Sequence, residues 1–253
     1  MKILTLNTQK AYQSGFRDFF IRILGEEKYD FILLQEATAP IITLAKNAGL
    51  SYDILNPYDP ELGENTHECI LYKKEFQLIE TLFISFSFFD KTHPHRGWGF
   101  VAGVFEKNGE KKLIGSMHLH PGFKKSRRME QIRIIKERIL EKNYNFPVIF
   151  GGDCNFGWPG EISQAGKILS PQFMRVTKGL GPTLDSRYTE QVPFGVARIA
   201  NFLARFGISV KLGADQAYVD RQTTKRSKIK SHLLPDRVSD HLAIQIEIIA
   251  LKF

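Results

Sequence analysis

Short apolar runs alternate along the chain with polar and turn-forming residues, a pattern that is typical of β-strands. These runs are only six to nine residues long, and several of them stop at a polar residue. On this basis we predict strands at residues 2–7, 30–36, 67–73, 76–84, 98–106, 111–118, 147–153, 215–220 and 241–249.

Three intervening segments carry apolar residues at helical spacing instead. Residues 14–25 end at a glycine, and residues 38–48 begin at Thr38, whose hydroxyl can cap a helix. Residues 126–142 place four apolar side chains on one face, those of Met129, Ile132, Ile135 and Ile139. We therefore predict three helices interleaved with the strands.

Strand pairs joined by short turns are expected to form antiparallel hairpins. Residues 98–106 and 111–118 flank Asn108-Gly109, a dipeptide that favours a tight turn. The fold class is therefore α/β, and the predicted architecture is a four-layer α/β sandwich in which two mixed, mostly antiparallel β-sheets pack face to face with helices outside. Because no Pro/Gly/Ser-rich linker, compositional break or repeat divides the chain, we expect residues 1–253 to form one domain.

Composition narrows the class of protein. The longest strongly apolar stretch, residues 82–89, contains serines and is too short to span a bilayer, and no cleavable signal pattern is recognised, so we expect a cytoplasmic protein. The two cysteines, Cys69 and Cys154, lie inside apolar runs, which predicts buried thiols rather than a disulfide or a zinc site. The formal net charge of +8 favours a polyanionic partner.

The predicted strands end or begin at residue types that bind metals and phosphates. These residues are Asn7, Glu36, His118, Asp153, Asn155, Asp240 and His241. Carboxylate, amide and imidazole groups are costly to bury alone, so we expect them to meet at a cation, a partner charge or an anion. In the predicted sandwich several strand ends converge at one rim, which indicates a metal-assisted phosphate site.

Six short motifs give the sequence a more specific likeness. LNTQ, LLQE, SMHLHP, GGDCN, DQAYV and SDH occur in this order along the chain. The ordered set resembles the endonuclease/exonuclease/phosphatase superfamily, which includes the deoxyribonuclease I-like enzymes. The resemblance implies the sandwich fold and metal-dependent hydrolysis of phosphoesters. The Trp-Asn-x-Asn-Gly opening of exonuclease III-like enzymes is absent from the sequence, so specificity for abasic sites is not implied.

A divalent cation is expected at Glu36, because Mg²⁺ prefers carboxylate oxygen and usually keeps several waters and the substrate phosphate as its other ligands. Asn7 can offer a neutral oxygen to the cation or to its hydration shell, and Asp240 faces the metal side in the arrangement that the resemblance implies. We expect Mg²⁺ as the working ion, with Mn²⁺ as a substitute. Both one metal and two metals are compatible with these residues.

Asp153 and Asn155 are two positions apart, so a strand that continued through both would place them on one face. Asp153 would then orient or deprotonate the attacking water, and Asn155 would donate to a phosphate oxygen. Cys154 would point into the core. The alternative is that Asp-x-Asn forms a turn, which is common for this pattern.

His241 is expected to contact the scissile phosphate, either as a general base or as a cationic donor to the transition state. The resemblance pairs His241 with Asp215, which would fix the tautomer of the imidazole. Asp220 is the rival for this position. The apolar run after Asp215 matches the pattern of the family better than the sequence after Asp220 does.

A second histidine, His118, is expected to donate to a non-bridging phosphate oxygen or to the leaving group. His120 lies two residues later and is its rival, but the predicted strand runs without interruption into His118. The resemblance to pancreatic-type deoxyribonucleases implies that Glu68 supports His118. The alternative for Glu68 is a solvated side chain of an antiparallel strand.

Two basic clusters flank the site motifs and bear on the substrate. The first comprises Lys124, Lys125, Arg127 and Arg128, and the second comprises Arg221, Lys225, Arg226, Lys228 and Lys230. We expect the second cluster to lie in a loop that overhangs the catalytic rim and tracks a phosphodiester backbone, which makes nucleic acid the expected partner. Arg96 would add a phosphate contact, and Trp98 and Trp158 are candidate stacking surfaces or core residues. The alternative is that both clusters are solvated charge runs.

These features predict a divalent-metal-dependent phosphoester hydrolase, in particular a nuclease or phosphodiesterase acting on DNA or RNA by in-line attack of water on phosphorus. The aromatic-rich residues 82–89 leave open a phosphodiesterase or phosphatase acting on lipid headgroups or inositol phosphates. A further alternative is a non-catalytic polyanion-binding domain of the same fold. The clustered carboxylates favour the enzyme, because without a metal they would repel a phosphate.

Overall fold

The computed structural model describes residues 1–8, 15–48, 51–56, 67–86, 99–121, 124–157, 160–185, 211–236, 239 and 241–251. Within these ranges the helices are α1 (Phe16–Gly25), α2 (Ala39–Ala48), α3 (Lys125–Glu141), α4 (Glu161–Leu169) and α5 (Arg221–Arg226). The strands are β1 (Lys2–Asn7), β2 (Phe31–Ala37), β3 (Tyr52–Leu55), β4 (His67–Lys73), β5 (Gln77–Ser85), β6 (Gly99–Lys107), β7 (Glu110–His118), β8 (Val148–Asp153), β9 (Phe173–Arg175), β10 (Leu184–Asp185), β11 (Lys211–Leu212), β12 (Asp215–Asp220), β13 (Ser227–Leu233) and β14 (Ile244–Ala250).

The strands form two six-stranded sheets, each with one parallel pair. The first sheet has the order β13-β14-β1-β2-β4-β3, and β1 and β2 are its parallel pair. The second has the order β5-β6-β7-β8-β12-β9, and β7 and β8 are its parallel pair. The short strands β10 and β11 pair with each other. Both sheets are therefore mixed and mostly antiparallel, as predicted.

Three apolar cores separate four layers of structure. The alternation along β2 illustrates the division, since Phe31 and Leu33 point into the core between the two sheets, whereas Ile32 and Leu34 pack with α1 and α2. In the second sheet, Phe150 of β8 joins a core with residues of α3 and α4. The predicted four-layer α/β sandwich is thus confirmed, with helices on both outer faces.

The predicted strands and helices are all present, with bounds that differ by three residues at most where the structure describes them. The sequence did not predict several shorter or more polar elements, namely β3, α4, β9, β10, β11, α5 and β13. The two cysteines are buried and free, as predicted. Burial raises the pKa of the Cys69 thiol to about 12. Among the described residues, no helix combines the length and the apolarity needed to cross a bilayer.

A buried polar cluster joins the two sheets just below the rim. The Gln35 amide nitrogen donates to the Ser116 hydroxyl at 2.9 Å and to the Thr5 hydroxyl at 3.3 Å, and all three residues are buried. Gly152 leaves room for this amide, because a Cβ at this position would lie 3.0 Å from the Gln35 Nε2 and 2.1 Å from the Met117 carbonyl oxygen. Directional bonds of this kind fix the offset between the sheets more narrowly than apolar packing does.

Candidate active site

Three predicted site residues lie in one row across the second sheet. The backbone register pairs His118 of β7 with Asp153 of β8, and Asp153 with Asp215 of β12. Paired residues on neighbouring strands point to the same face of a sheet. Here that face is the inner one, since Ile114, Ile149 and Ala217, each an even number of positions away, belong to the core between the sheets. The row therefore faces the first sheet.

The first sheet contributes Asn7 and Glu36 to the opposite side of the same gap. Strict alternation along β2 would turn Glu36 outward, because Leu33 and Gln35 already point inward. A bulge between Leu34 and Ala37, with Glu36 in the left-handed region at φ 55°, brings the carboxylate to the rim instead. The Thr8 hydroxyl donates to the carbonyl oxygens of both residues of the bulge, at 3.1 and 2.8 Å, and so holds it.

The carboxylate of Asp153 lies at the centre of the site. Its Oδ2 accepts a hydrogen bond from the Asn7 amide nitrogen at 2.9 Å, and the Nε2 atoms of His118 and His241 each lie 3.7 Å from it. The other oxygen, Oδ1, accepts a hydrogen bond from the Asn155 backbone at 2.7 Å. Side chains from both sheets thus converge on a single carboxylate oxygen.

His241 is held by Asp215. The Nδ1 atom of the imidazole lies 2.7 Å from Asp215 Oδ2, and both side chains are almost fully buried. An ionised carboxylate at this distance requires the proton on Nδ1, so Nε2 is the atom that faces Asp153 and the gap. Asp220 instead caps α5, where its side chain accepts from the Thr223 backbone at 2.8 Å. Asp215, and not its rival, contacts the histidine.

His118 lies among three carboxylates. Its Nδ1 atom is 3.4 Å from Glu68 Oε1, and its Nε2 atom is 3.8 Å from Glu36 Oε1. Burial lowers the pKa of His118, but the carboxylates of Glu68, Asp153 and Glu36 outweigh this effect and raise the pKa to about 9. Burial raises the pKa of the Glu68 carboxyl in turn. The buried pair therefore depends on mutual charge, because neither of the two atoms has a hydrogen-bond partner within the described part of the chain.

Gly99 completes the row on β6, opposite His118. A Cβ at this position would lie 2.9 Å from the Ile84 carbonyl oxygen and 3.1 Å from Glu68 Oε2. A side chain here would push Glu68 away from His118. The glycine thus leaves the space that the buried carboxylate occupies.

The position of Asn155 differs from the prediction that Asp153 and Asn155 share one face of a strand. Strand β8 ends at Asp153, and Asn155 adopts the left-handed conformation at φ 51°, so the two side chains do not share a strand face. The pair forms the turn that was the alternative, in which the Asn155 amide nitrogen also donates to the Leu119 carbonyl oxygen at 2.8 Å. This bond ties the chain after β8 to the chain after β7. Cys154 is buried in the core of the second sheet, as expected.

The donor set fits a divalent cation. Glu36, His118 and Asp153 offer ligand atoms that lie within 4.8 Å of one another, and the Glu36 side chain is 25% exposed, so it can be reached from solvent. Among the described side chains of the site, four carboxylates face two imidazoles, which leaves an excess of negative charge for a cation to compensate. The Asn7 amide nitrogen donates to both Glu36 and Asp153, so it holds these two carboxylates next to each other.

Solved structures with the same architecture are similar to this chain over nearly its whole length. One is D. rerio TDP2 complexed with a single-strand DNA product, with a TM-score of 0.74, 17% identity and coverage of 97% of both chains. The chain has the endonuclease/exonuclease/phosphatase fold. Others with this fold are the beta toxin of Staphylococcus aureus (TM-score 0.72, 16% identity, 98% of this chain and 99% of that one) and a mannosyl-6-phosphatase of Bacteroides thetaiotaomicron (TM-score 0.70, 16% identity, the same coverage).

At these identities the fold is shared while most side chains differ. No family model matches the sequence, and no curated protein is significantly similar to it. The fold predicted from the ordered motifs is nevertheless confirmed by these structures. The motif residues that the structure describes also lie at the ends of strands, as predicted.

Several predicted residues are placed away from the central carboxylates. His120 accepts a hydrogen bond from Arg127 at 3.0 Å, so its imidazole is turned towards α3. Lys124 and Lys125 lie at the start of α3, at the end of the sandwich where β7 leads out of the rim. Arg128 is not a surface cation of the first basic cluster, because it is fully buried against Glu161.

The second basic cluster is wrongly predicted as a loop over the rim. Strand β12 starts at the rim with Asp215 and runs away from it, so residues 221–226 lie roughly 17 Å from the rim at about 3.3 Å per residue. Arg226 is the last residue of α5, and β13 then returns along the edge of the first sheet. Asp240, Arg96, Trp98 and Trp158 lie outside the described residues.

Sequence reasoning missed residues that position the site. The Thr183 hydroxyl accepts from the Asp215 backbone at 3.0 Å, and its carbonyl oxygen accepts from the Leu242 backbone at 2.7 Å. Thr183 thereby links both members of the Asp215–His241 pair, and no periodic pattern around it signals this. The Gln35 contact had a visible signal, since a carboxamide directly before Glu36 in an apolar run needs a buried partner.

Proposed function

We propose that this protein is a divalent-metal-dependent phosphodiesterase that hydrolyses phosphodiester bonds of nucleic acids. One observation carries the proposal. Asn7 and both imidazoles meet around a single carboxylate oxygen of Asp153, and a further carboxylate lies behind each imidazole. A binding module for polyanions would be weakened by four carboxylates at the point of contact. An enzyme needs them to hold a cation and to move protons.

Glu36, next to the carboxylate of Asp153, is the residue that would hold the cation, with Mg²⁺ as the working ion and Mn²⁺ as its substitute. When bound, the cation would neutralise charge on the phosphate and on the leaving oxygen. Asn7 keeps the two carboxylates together through bonds of 3.3 and 2.9 Å. Asp240 is proposed as a further oxygen donor on the same side.

Asp153 is proposed to position the attacking water and to take its proton. Both of its oxygens accept a hydrogen bond, but only Oδ2 lies in the gap that the two imidazoles face, so Oδ2 is the oxygen that a water would approach. As the new bond between water and phosphorus forms, the bond between phosphorus and the leaving oxygen breaks. The water proton passes to Asp153, and the leaving oxygen takes a proton from an imidazole or from solvent.

His241 and His118 are proposed to contact the phosphate from two sides. Asp215 orients His241 so that its Nε2 can donate to a non-bridging oxygen, and Glu68 orients His118 in the same way. Preorganised donors of this kind stabilise the charge that develops on the phosphate in the transition state. Asn155 is proposed as an additional donor through the second hydrogen of its amide.

Nucleic acid is the proposed substrate class because of the charge of the chain and one structural neighbour. The formal net charge is +8, and the basic residues at the start of α3 lie at the end of the sandwich that carries the site. D. rerio TDP2 was solved in complex with a single-strand DNA product. Arg127, Lys124, Lys125 and Arg96 are therefore proposed as phosphate contacts, and Trp158 is proposed as a stacking surface.

Metal binding tests the proposal directly. The Glu36→Gln variant should bind Mn²⁺ at least about tenfold more weakly than wild type in a paramagnetic-resonance titration, because loss of even an outer-shell partner costs about 10- to 100-fold. Glu110→Gln is the matched control, since Glu110 is an exposed glutamate at the far end of β7. Equal Mn²⁺ affinity of all three proteins would contradict the role of Glu36.

Hydrolysis is then measured on a small phosphodiester, single- and double-stranded DNA, RNA, a sugar phosphomonoester and sphingomyelin. Wild type with Mg²⁺ should cleave the diesters, lose this activity in chelator and regain it with added Mg²⁺. Activity that persists in chelator would exclude the proposed metal role. Cleavage of the phosphomonoester or of sphingomyelin alone would move the substrate to the class of the other structural neighbours.

A further inference from the structure

Strand β13 carries a row of basic side chains on one face. It is an edge strand of the first sheet, and its residues alternate between half-buried and exposed along the whole strand. Ile229 and Leu233 pack towards the core between the sheets. The alternation therefore turns Lys228, Lys230 and His232 to the outer face. We call these three residues the β13 ladder.

The lysines of the ladder make no ion pair among the described residues, unlike two lysines elsewhere on the surface. Lys107 and Lys142 each lie 2.7 Å from a glutamate, Glu75 and Glu80 respectively. The carboxylate that lies across the strand pair from Lys230 is Glu247 of β14, which also lies across from Lys2 of β1. Glu247 thus faces two lysines, and this strip of the outer face keeps a net positive charge.

The ladder leads towards the active site. Its positions Lys228, Lys230 and His232 lie opposite residues 249, 247 and 245 of β14, and His241 precedes that strand at the rim. At about 3.3 Å per residue, the three side chains lie roughly 26, 20 and 13 Å from His241 along the strand direction. Neighbours in the ladder are therefore about 6.6 Å apart.

We infer that the β13 ladder binds the sugar–phosphate backbone of the strand whose phosphodiester lies at His241, at a distance that only long substrates reach. This inference rests on the proposed function and narrows its substrate class to long polynucleotide strands. Exposed lysines remain solvated until a phosphate arrives, so their contacts release counterions and add affinity without selecting a sequence. The edge position leaves this face open along its whole length.

The test is binding of a single-stranded oligonucleotide by fluorescence anisotropy at several salt concentrations, in chelator so that no cleavage occurs. A stacked strand rises about 3.4 Å per nucleotide, so roughly eight nucleotides span the distance from His241 to the far end of the ladder, and about 20 are ample. The double variant Lys228→Gln/Lys230→Gln should bind roughly tenfold more weakly at low salt. The slope of log affinity against log salt should fall by about 1.4, since each single-strand contact contributes about 0.7.

The matched control removes two exposed lysines elsewhere, Lys46→Gln/Lys74→Gln, and should keep the affinity and the salt slope of wild type. Both double variants should keep the thermal unfolding midpoint of wild type, because they change exposed side chains only. If the ladder variant binds the oligonucleotide as the control does, the inference is overturned. It is also overturned if the ladder variant loses binding to vesicles of anionic phospholipid and keeps binding to the oligonucleotide.

The proposed function fails on a different measurement. If wild type cleaves no phosphodiester with Mg²⁺, the enzyme proposal is wrong, whereas the anisotropy result in chelator still decides whether the ladder binds a polynucleotide. If wild type cleaves the small diester and the ladder variant matches the control in oligonucleotide binding, the enzyme proposal survives and the ladder does not. The two results are therefore independent.

Discussion

The two oxygens of Asp153 have different partners, and this asymmetry defines the chemistry of the site. Oδ1 accepts from the backbone of Asn155, whereas Oδ2 accepts from the Asn7 side chain and faces both imidazoles, so Oδ2 is the oxygen to which the proposed proton transfer is directed. The same principle applies to the imidazoles, since each has one nitrogen next to a carboxylate and the other facing the gap. Groups that are oriented before the substrate binds do not need to reorganise in the transition state.

Asp215→Asn should slow hydrolysis of a small phosphodiester by roughly 10²- to 10⁴-fold in kcat. A carboxamide can donate to Nδ1 and thereby stabilise the wrong tautomer of His241, which removes the proton arrangement that the pair now enforces. Steady-state kinetics with Mg²⁺ measures the effect. Affinity for a non-cleavable diester should change little.

The control for this variant is Asp220→Asn, at the rival aspartate. Asparagine caps a helix about as well as aspartate does, so α5 should remain intact and the rate should stay within about threefold of wild type. Similar rates for both variants would remove Asp215 from the mechanism.

At the residue scale, the sequence indicated which side chains would meet and missed how several are held. The ordered motifs placed Glu36, Asp153 and His241 at strand ends, and the structure brings them together. The bulge that turns Glu36 inward was not predicted, and the turn at Asn155 was only the alternative, because both depend on left-handed backbone conformations of residues other than glycine. Such conformations are imposed by tertiary contacts such as those of Thr8, and local propensity does not signal them.

At the scale of elements, a buried ion pair joins the helices that cover the second sheet. Arg128 of α3 contacts Glu161 of α4 at 2.6 Å, and both residues are fully buried. Arg128 also donates to the His120 carbonyl oxygen, and the second oxygen of Glu161 accepts from the Gly157 backbone. The pair therefore ties together the two chain segments that follow β7 and β8, which carry His118 and Asp153.

Glu161→Gln should lower the free energy of unfolding by about 3–5 kcal/mol. Removing the charge of Glu161 breaks a fully buried ion pair, and truncating one partner of such a pair costs more than the contact itself contributes. Equilibrium denaturation by urea measures the change. Glu141→Gln breaks the exposed Arg138–Glu141 pair and is the control, expected to change stability by less than about 1 kcal/mol. A loss of less than 1 kcal/mol for Glu161→Gln would contradict the importance of the buried pair.

The elements that the sequence missed share a physical cause. Strands such as β2 and β8 are buried on both faces and appear as continuous apolar runs, so they were predicted to within a residue or two. Strand β13 is an edge strand whose polar positions carry lysine and histidine, and its charges suggested a loop. Its period of two, with Ile229 and Leu233 between the polar positions, was the signal that would have identified it.

At the scale of the whole molecule, buried tyrosines are distributed through all layers. Tyr29 donates to Gln245 of β14 at 3.0 Å, and Tyr52 donates to the Tyr29 carbonyl oxygen at 2.7 Å. Burial raises the pKa of both Tyr29 and Tyr52 to about 12. Burial also raises the pKa of Tyr144 to about 12 and that of Tyr218 well above its usual range.

Alkali should therefore unfold the protein cooperatively. A tyrosine whose pKa is raised in the native state stabilises the fold fully below its unfolded pKa of 10.0, and this stabilisation is lost as the pH rises towards 12. Each such tyrosine contributes on the order of 1–3 kcal/mol. Urea denaturation at pH 9 and at pH 11.5 should show a loss of several kcal/mol, and Tyr52→Phe should show a smaller loss. Equal stability of wild type at the two pH values would contradict this prediction.

The candidate site depends on the lengths of the three strands that carry the row of His118, Asp153 and Asp215. Successive residues of a strand face opposite sides of its sheet, so deleting one residue within β12 ahead of Ala217 would turn Asp215 outward instead of shifting it by a fraction. Surface connections that end far from this row can change length without such a penalty. Engineering of new specificities should therefore reshape the connections and leave the length of these three strands untouched.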